Sequence, residues 1–124
     1  MSDTMALMEI PSIPRKDGAC LAISPGIVDY RAAFALQRRL HDRVAADELP
    51  GVLLLLEHPH VYTLGRRGSR DDILVTQDRL AELGVEVHDA DRGGEVTYHG
   101  PGQLVGYPIV NLRKWGGGPL RFIR

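Results

Sequence analysis

The chain has one cysteine among its 124 residues, and this scarcity excludes an intrachain disulfide and a cysteine-based metal cluster. Lysine is almost as rare, with two against 13 arginines, and the net charge of −1 gives no general attraction to nucleic acid. No apolar run approaches the ~20 residues of a membrane helix, and residues 1–18 lack the parts of a signal peptide. We therefore expect a cytoplasmic protein that binds neither nucleic acid nor membrane.

The order of apolar and turn-forming segments predicts an α/β fold of the α+β type, with a mixed β-sheet flanked by helices. Residues 1–18 are expected to be a loosely ordered leader, and residues 19–124 belong to one domain. The predicted strands lie at residues 19–24, 52–56, 85–88, 95–98 and 103–112, with a short strand after residue 60. Helices are predicted at residues 28–46, with Tyr30, Phe34, Leu40 and Val44 on the apolar face, and at residues 76–83.

Three details of this prediction can be checked directly. The run VLLLL at residues 52–56 is expected to be a central strand that is buried on both faces. The last two strands are expected to form a hairpin through the proline-glycine turn at residues 99–102. Residues 119–124 look like the first turn of a helix.

Residues 92–111, RGGEVTYHGPGQLVGYPIVN, concentrate unusual backbone and hydrogen-bonding residues between plain strand sequences. Glycine permits positive φ and a close approach between backbone and ligand. No Gly-Lys-Ser/Thr sequence follows, and no helix opens after the glycines, so neither a P-loop nor a dinucleotide-binding motif is indicated. The segment predicts a binding surface, against the alternative of a simple turn between strands.

Three stretches of the sequence together indicate a protein family. They are YRAAFALQ at residues 30–37, LLLEHPHVYTLG at residues 54–65 and RGGEVTYHGPGQ at residues 92–103. In this order they resemble the octanoyltransferases of lipoate synthesis, also called lipoate-protein ligase B. The resemblance spans most of this chain but only the N-terminal part of the family's domain.

The resemblance implies the fold of biotin and lipoate protein ligases, truncated here at the C-terminus, and a role in protein lipoylation. In that family, octanoyl passes from acyl carrier protein to an enzyme cysteine. It then passes to a lysine of a lipoyl domain, as in 2-oxoacid dehydrogenase subunits and the glycine cleavage H protein. No cofactor or metal is implied, because the thioester is already activated.

The resemblance also assigns a substrate-binding site. Its residues are Arg92, Gly93, Gly94, Glu95, Val96, Thr97, Tyr98 and His99. The family's catalytic cysteine and lysine lie well downstream of HGPGQ and have no counterpart in this sequence. We therefore expect that the 124-residue chain alone does not modify a lipoyl domain, and that uncovered apolar sheet surface makes it self-associate or only marginally stable.

Other reactive side chains receive structural interpretations. Cys20 lies in the apolar run CLAI and is expected to be a small buried side chain, not a nucleophile. His58 and His60 have no nearby carboxylate cluster or cysteine and make a weak metal site, so His58 is expected to order the loop at the end of the central strand. Arg66 and Arg67 fit a solvated loop better than a contact with an acidic carrier protein.

Two alternative functions stay open. An ATP-dependent lipoate or biotin ligase would share the fold, and ATP dependence of acyl transfer would reveal it. A non-catalytic half-domain that binds acyl groups is the other, and a coding region that continues into a later lysine and cysteine would argue against it.

Overall fold

The computed structural model describes residues 20–114, which fall into two units. Within this range the first unit contains residues 20–56 and 105–114, and the second unit contains Glu57–Leu104. The leader expected at residues 1–18 and the helical turn expected at residues 119–124 lie outside the described residues. In the described part, no helix combines the length and apolarity that a membrane crossing requires.

Helix α1, Tyr30–Ala45, supplies the core of the first unit. It begins where the carboxylate of Asp29 accepts a hydrogen bond from the amide of Ala32 at 3.3 Å. Its buried residues recur at helical spacing and are Ala32, Ala33, Leu36, Leu40 and Val44. The assignment of Phe34 to this apolar face was wrong, because its side chain is 45% exposed.

The sheet of the first unit has the order β1-β2-β6, formed by β1 (Cys20–Ile27), β2 (Gly51–Glu57) and β6 (Val105–Ile109). Strand β2 is central as predicted, and it pairs antiparallel with β6 from Val52 opposite Ile109 to Leu56 opposite Val105. The prediction that β2 is buried on both faces was wrong. One face, with Val52, Leu54 and Leu56, is buried, while the alternate leucines are half-buried.

Cys20, the first residue of β1, is exposed, so the expectation of a buried side chain was also wrong. The exposed and half-buried residues of β1 alternate, and the half-buried Leu21 and Ile23 are the ones that pack against the core. Cys20 lies on the other side of this alternation. An apolar run of four residues therefore did not reveal which of its members faces the core.

The sheet of the second unit has the order β4-β3-β5, formed by β3 (Val61–Leu64), β4 (Glu86–Asp89) and β5 (Val96–His99). Strand β3 pairs in parallel with β4 and antiparallel with β5, so this sheet is mixed. Helix α2, Gln77–Leu83, lies between β3 and β4 in the chain, as parallel strands require a crossover. Thr76 caps its start and Gly84, at φ 70°, ends it, as predicted.

The α/β fold class is confirmed, but two features of the predicted sheet were wrong. The strands lie in two three-stranded sheets, and β5 and β6 do not form a hairpin. A turn is present, closed by a hydrogen bond from the amide of Gln103 to the carbonyl of Gly100 at 3.1 Å. Turn chemistry fixes a local reversal, whereas the partner of β6 is decided by the apolar strand β2.

Candidate functional site

The eight residues assigned to the site, residues 92–99, all lie in the second unit, in the turn before β5 and in β5 itself. We call them the RGG segment. Cross-strand pairs place Thr97 opposite Thr63 and Tyr98 opposite Tyr62. Because successive residues of a strand point to opposite faces, Thr97 and His99 share one face of β5 and Val96 and Tyr98 share the other. The RGG segment is therefore not one continuous surface.

The guanidinium of Arg92 is bonded to protein oxygens. Its Nη2 donates to the carbonyl of Thr63 at 2.9 Å and to the Thr63 hydroxyl at 2.8 Å. The same nitrogen lies 3.3 Å from the carbonyl of Glu95, and Nη1 donates to the carbonyl of Gly93 at 2.9 Å. Arg92 thus ties the turn at residues 92–95 to β3, a role that the sequence did not indicate.

The residues after β3 are hydrogen-bonded to the same turn through their backbone amides. The amide of Gly65 donates to the carbonyl of Glu95 at 2.7 Å, and the amide of Arg67 donates to that of Gly94 at 3.0 Å. A Cβ atom on Gly65 would lie 2.5 Å from the Gly94 oxygen, which leaves no room for a side chain. A Cβ on Gly68 would lie 2.9 Å from the Glu95 oxygen. Two glycines outside the RGG segment are therefore needed for its close approach.

The two glycines inside the turn have different requirements. Gly94 adopts φ 92°, a conformation that glycine reaches without strain, and a Cβ there would lie 3.1 Å from Nη1 of Arg92. A Cβ on Gly93 would meet nothing within 4 Å. The turn therefore has open space on the Cβ side of Gly93, whereas its backbone is constrained at Gly94.

Tyr98 packs on the face of β5 that also carries Val96. Its ring is tilted on Tyr62, with centroids 5.3 Å apart, and its hydroxyl shares a hydrogen bond with Nδ1 of His60. Both side chains contribute to an apolar cavity of about 360 Å³ within the second unit. The cavity is lined by His60, Tyr62, Val75, Leu80, Leu83, Val85 and Tyr98. The sequence grouped Tyr98 with His99, but the strand directs their side chains to opposite faces.

His99 lies on the same face as Thr97. Its Nδ1 is 2.8 Å from the side-chain oxygen of Gln103, and its ring centroid is 5.8 Å from that of His58, which is fully buried. A carbonyl oxygen accepts hydrogen bonds, so Nδ1 of His99 is the donor in this contact. His58, His99 and Gln103 are thus in contact with one another.

Further polar contacts flank the site. The carboxylate of Glu57 accepts a hydrogen bond from the amide of Gly102, which adopts φ 90°. Arg66 forms an exposed salt bridge with Asp91 at 2.9 Å. Residues 20–114 contain no group of three or more histidine, cysteine or acidic side chains placed to hold a metal ion. Glu57–Leu104, the second unit, has neither cysteine nor lysine in its sequence.

Comparison with known proteins identifies a family of catalytic domains. The chain belongs to the lipoyl protein ligase A/B catalytic domain family, whose model matches residues 29–122. The octanoyltransferase of Caldicellulosiruptor saccharolyticus is 50% identical over 97 residues, and that of Gloeobacter violaceus is 51% identical over 96 residues. These alignments cover 78% and 77% of this chain and 41% of each relative, so the chain spans about two fifths of their length.

A solved structure also resembles the chain. It is a protein of T. acidophilum that is provisionally described as a lipoate protein ligase. The match has 19% sequence identity and a TM-score of 0.41, and it covers 72% of this chain and 35% of that one.

The sequence pointed to the RGG segment but missed the residues that hold it. Thr63 and Gly65 lie in the motif LLLEHPHVYTLG, which served only to identify the family. A glycine directly after a short strand was the available signal, since it marks a place where another backbone comes close. Nothing in the sequence indicated that Thr63 would be the partner of Arg92.

Proposed function

We propose that the chain serves octanoyl transfer, from the thioester of an acyl carrier protein to the lysine side chain of a lipoyl domain. The observation that carries the proposal is the identity of about 50% to proteins named octanoyltransferases, over alignments that cover 73% to 80% of this chain. The acceptors would be lipoyl domains of 2-oxoacid dehydrogenase subunits and of the glycine cleavage H protein, in the cytoplasm.

Within this proposal the RGG segment binds the acyl thioester. Gly93 offers open backbone, and Thr97 and His99 present polar side chains on one face of β5. The side chains of Val96 and Tyr98 support the strand from the opposite face, where Tyr98 packs on Tyr62. We place the thioester along the face with Thr97 and His99, because Arg92 and the turn are fastened to Thr63 on that face.

The second unit contributes binding and orientation to the reaction. In the overall transfer, a bond forms between the acyl carbon and the lysine nitrogen, the carbon–sulfur bond breaks, and the carrier thiol leaves with a proton. A nucleophilic thiol would divide this transfer into two steps. Because the second unit has no cysteine and no lysine, its polar groups hold the thioester and do not attack it.

Binding can be tested on the 124-residue chain with S-octanoyl-pantetheine, which carries the acyl thioester without the carrier protein. We expect saturable shifts of the backbone amide NMR signals of Gly94, Thr97 and His99, and much weaker shifts with S-acetyl-pantetheine. The short acyl group is the control for the pantetheine part. Absence of saturable shifts would contradict the proposal. Shifts confined to Leu80 and Leu83 would move the acyl site to the cavity on the other face.

The ligase alternative is supported by one observation, because the matching family model covers both the A and the B type of lipoyl protein ligase. A ligase activates a free acid with ATP, whereas a transferase takes an acyl group that is already a thioester. The same titration with octanoate, with and without Mg-ATP, separates the two. Tight binding of octanoate that depends on Mg-ATP would favour the ligase, and binding of the thioester without nucleotide supports the transferase.

A further inference from the structure

The hydrogen bonds that Arg92 makes within the protein indicate its role. A guanidinium can grip a carboxylate or phosphate with two parallel hydrogen bonds along either of two edges, and both edges include Nη2. In Arg92 this nitrogen already donates to the carbonyl and the hydroxyl of Thr63. A two-pronged contact with an anionic ligand would require these bonds to break. The charge of Arg92 is therefore used to hold the protein and not to recognise an anion.

Thr63 is the acceptor of both hydrogen bonds from Nη2 of Arg92. It lies in the central strand β3, is 1% exposed, and presents two oxygens to one nitrogen of Arg92. Removing either oxygen would leave this partly buried guanidinium with one acceptor fewer. Backbone hydrogen bonds from Gly65, Arg66 and Arg67 also hold the turn, but they do not involve the guanidinium. The hydroxyl of Thr63 is the side-chain acceptor that fixes the direction of Arg92.

We propose that Thr63 is a positioning residue for the acyl site. Through Arg92 it sets the conformation of residues 93–95, and this conformation keeps the open space on the Cβ side of Gly93 available to the thioester. The inference rests on the function proposed above and adds a residue outside the RGG segment that controls substrate affinity. It also assigns Arg92 a scaffolding role within a segment that is otherwise proposed to bind the substrate.

The test compares two substitutions at one position. Thr63→Val keeps the shape of the side chain and deletes the acceptor, whereas Thr63→Ser keeps the acceptor. We expect Thr63→Val to weaken binding of S-octanoyl-pantetheine about tenfold and Thr63→Ser to bind within about twofold of the unsubstituted chain. Tyr62→Phe is the matched control, because it deletes a hydroxyl from the adjacent residue of β3 on the opposite face.

A second readout does not depend on the ligand. The side-chain NMR signals of Arg92 in the free chain report whether its Nη hydrogens are held. They should be sharp and protected from exchange in the unsubstituted chain and in Thr63→Ser, and broadened in Thr63→Val. A Thr63→Val variant that is folded and keeps full affinity would overturn the inference, and so would unchanged Arg92 signals. If the unsubstituted chain does not bind the thioester, the proposed function fails and the inference falls with it.

Discussion

Tyr98 and His60 share a hydrogen bond between the phenol hydroxyl and Nδ1 of the imidazole, and their rings are stacked with centroids 5.9 Å apart. His99, the next residue of β5, instead contacts His58 and Gln103. Tyr98 and His99 are adjacent residues of the motif TYH, but they therefore belong to two separate clusters of hydrogen-bonded side chains. The division follows from strand geometry, which turns successive side chains to opposite faces.

Replacing Tyr98 by phenylalanine tests this division. The ring contact with Tyr62 is retained and only the hydroxyl is lost, so we expect the free energy of unfolding to fall by at most about 1 kcal/mol. The imidazole NMR signals of His60 should shift, and those of His99 should stay in place. Equal shifts of both histidines would show that the two faces are coupled. Tyr62→Phe serves as the control for loss of a phenol on the same face.

Gly65→Ala should be among the most destabilising small changes in the second unit. The new Cβ would lie 2.5 Å from the carbonyl oxygen of Gly94 and 2.7 Å from that of Gly93, and these are backbone atoms that cannot rotate away. We expect a loss of about 2 kcal/mol or more, measured by urea denaturation. Gly93→Ala is the matched control, because its Cβ meets nothing within 4 Å, and it should change stability by less than about 0.5 kcal/mol. Equal stability of the two variants would contradict the close approach.

The sequence predicted what depends on local chemistry. The cap at Thr76 and the stop at Gly84 were located because a hydroxyl acceptor and a left-handed glycine act within a few residues. The central position of VLLLL followed from its continuous apolar character. The assignment of the RGG segment to one binding surface depended on family resemblance, and the strand geometry divides it.

The features that the sequence did not reveal depend on distant partners. Thr63 and Arg92 are 29 positions apart, and no local pattern links a threonine in a strand to an arginine in a later turn. Strand β6 follows a good turn, yet it pairs with β2 because the apolar residues of both strands are buried together there. Pairing partners are decided by packing of the whole unit, and a turn motif alone does not specify them.

Gln103 should control which ring nitrogen of His99 carries the proton in the neutral tautomers. Its side-chain oxygen accepts a hydrogen bond from Nδ1 at 2.8 Å, which favours the tautomer with the proton on Nδ1 over the tautomer with the proton on Nε2. In Gln103→Leu this preference is lost, and we expect the ¹⁵N signals of the ring to move toward a mixture of both tautomers. Gln103→Glu keeps an acceptor at the same place and should preserve the Nδ1 proton. An unchanged tautomer in Gln103→Leu would mean that another contact fixes the ring.

Tyr107 should make the first unit sensitive to alkali. Burial raises its pKa from 10.0 to about 12, with a smaller contribution from Tyr30. The folded chain holds this proton more tightly than the unfolded chain. The protonated Tyr107 therefore contributes to the free energy of unfolding, fully so below the unfolded pKa of about 10, and this contribution is lost as pH rises toward about 12. Ultraviolet titration should show a tyrosine step near pH 12 that is absent from Tyr107→Phe. A step near pH 12 that is unchanged in Tyr107→Phe would contradict the assignment.

The 124-residue chain should bind the acyl thioester without transferring it. Acyl transfer through the enzyme requires a thiolate or a comparable nucleophile beside the bound carbonyl, and the unit that carries the RGG segment contains no cysteine and no lysine. Incubation with octanoyl-carrier protein and an unmodified lipoyl domain should give no octanoyl mass gain above the uncatalysed control, as followed by mass spectrometry. If a gain is observed, Cys20→Ser decides its origin, because Cys20 is the single thiol of the chain and is exposed. Loss of the gain in Cys20→Ser would make Cys20 a nucleophile, contrary to the role expected for it, whereas a gain that persists would require attack by the lipoyl lysine directly on the bound thioester.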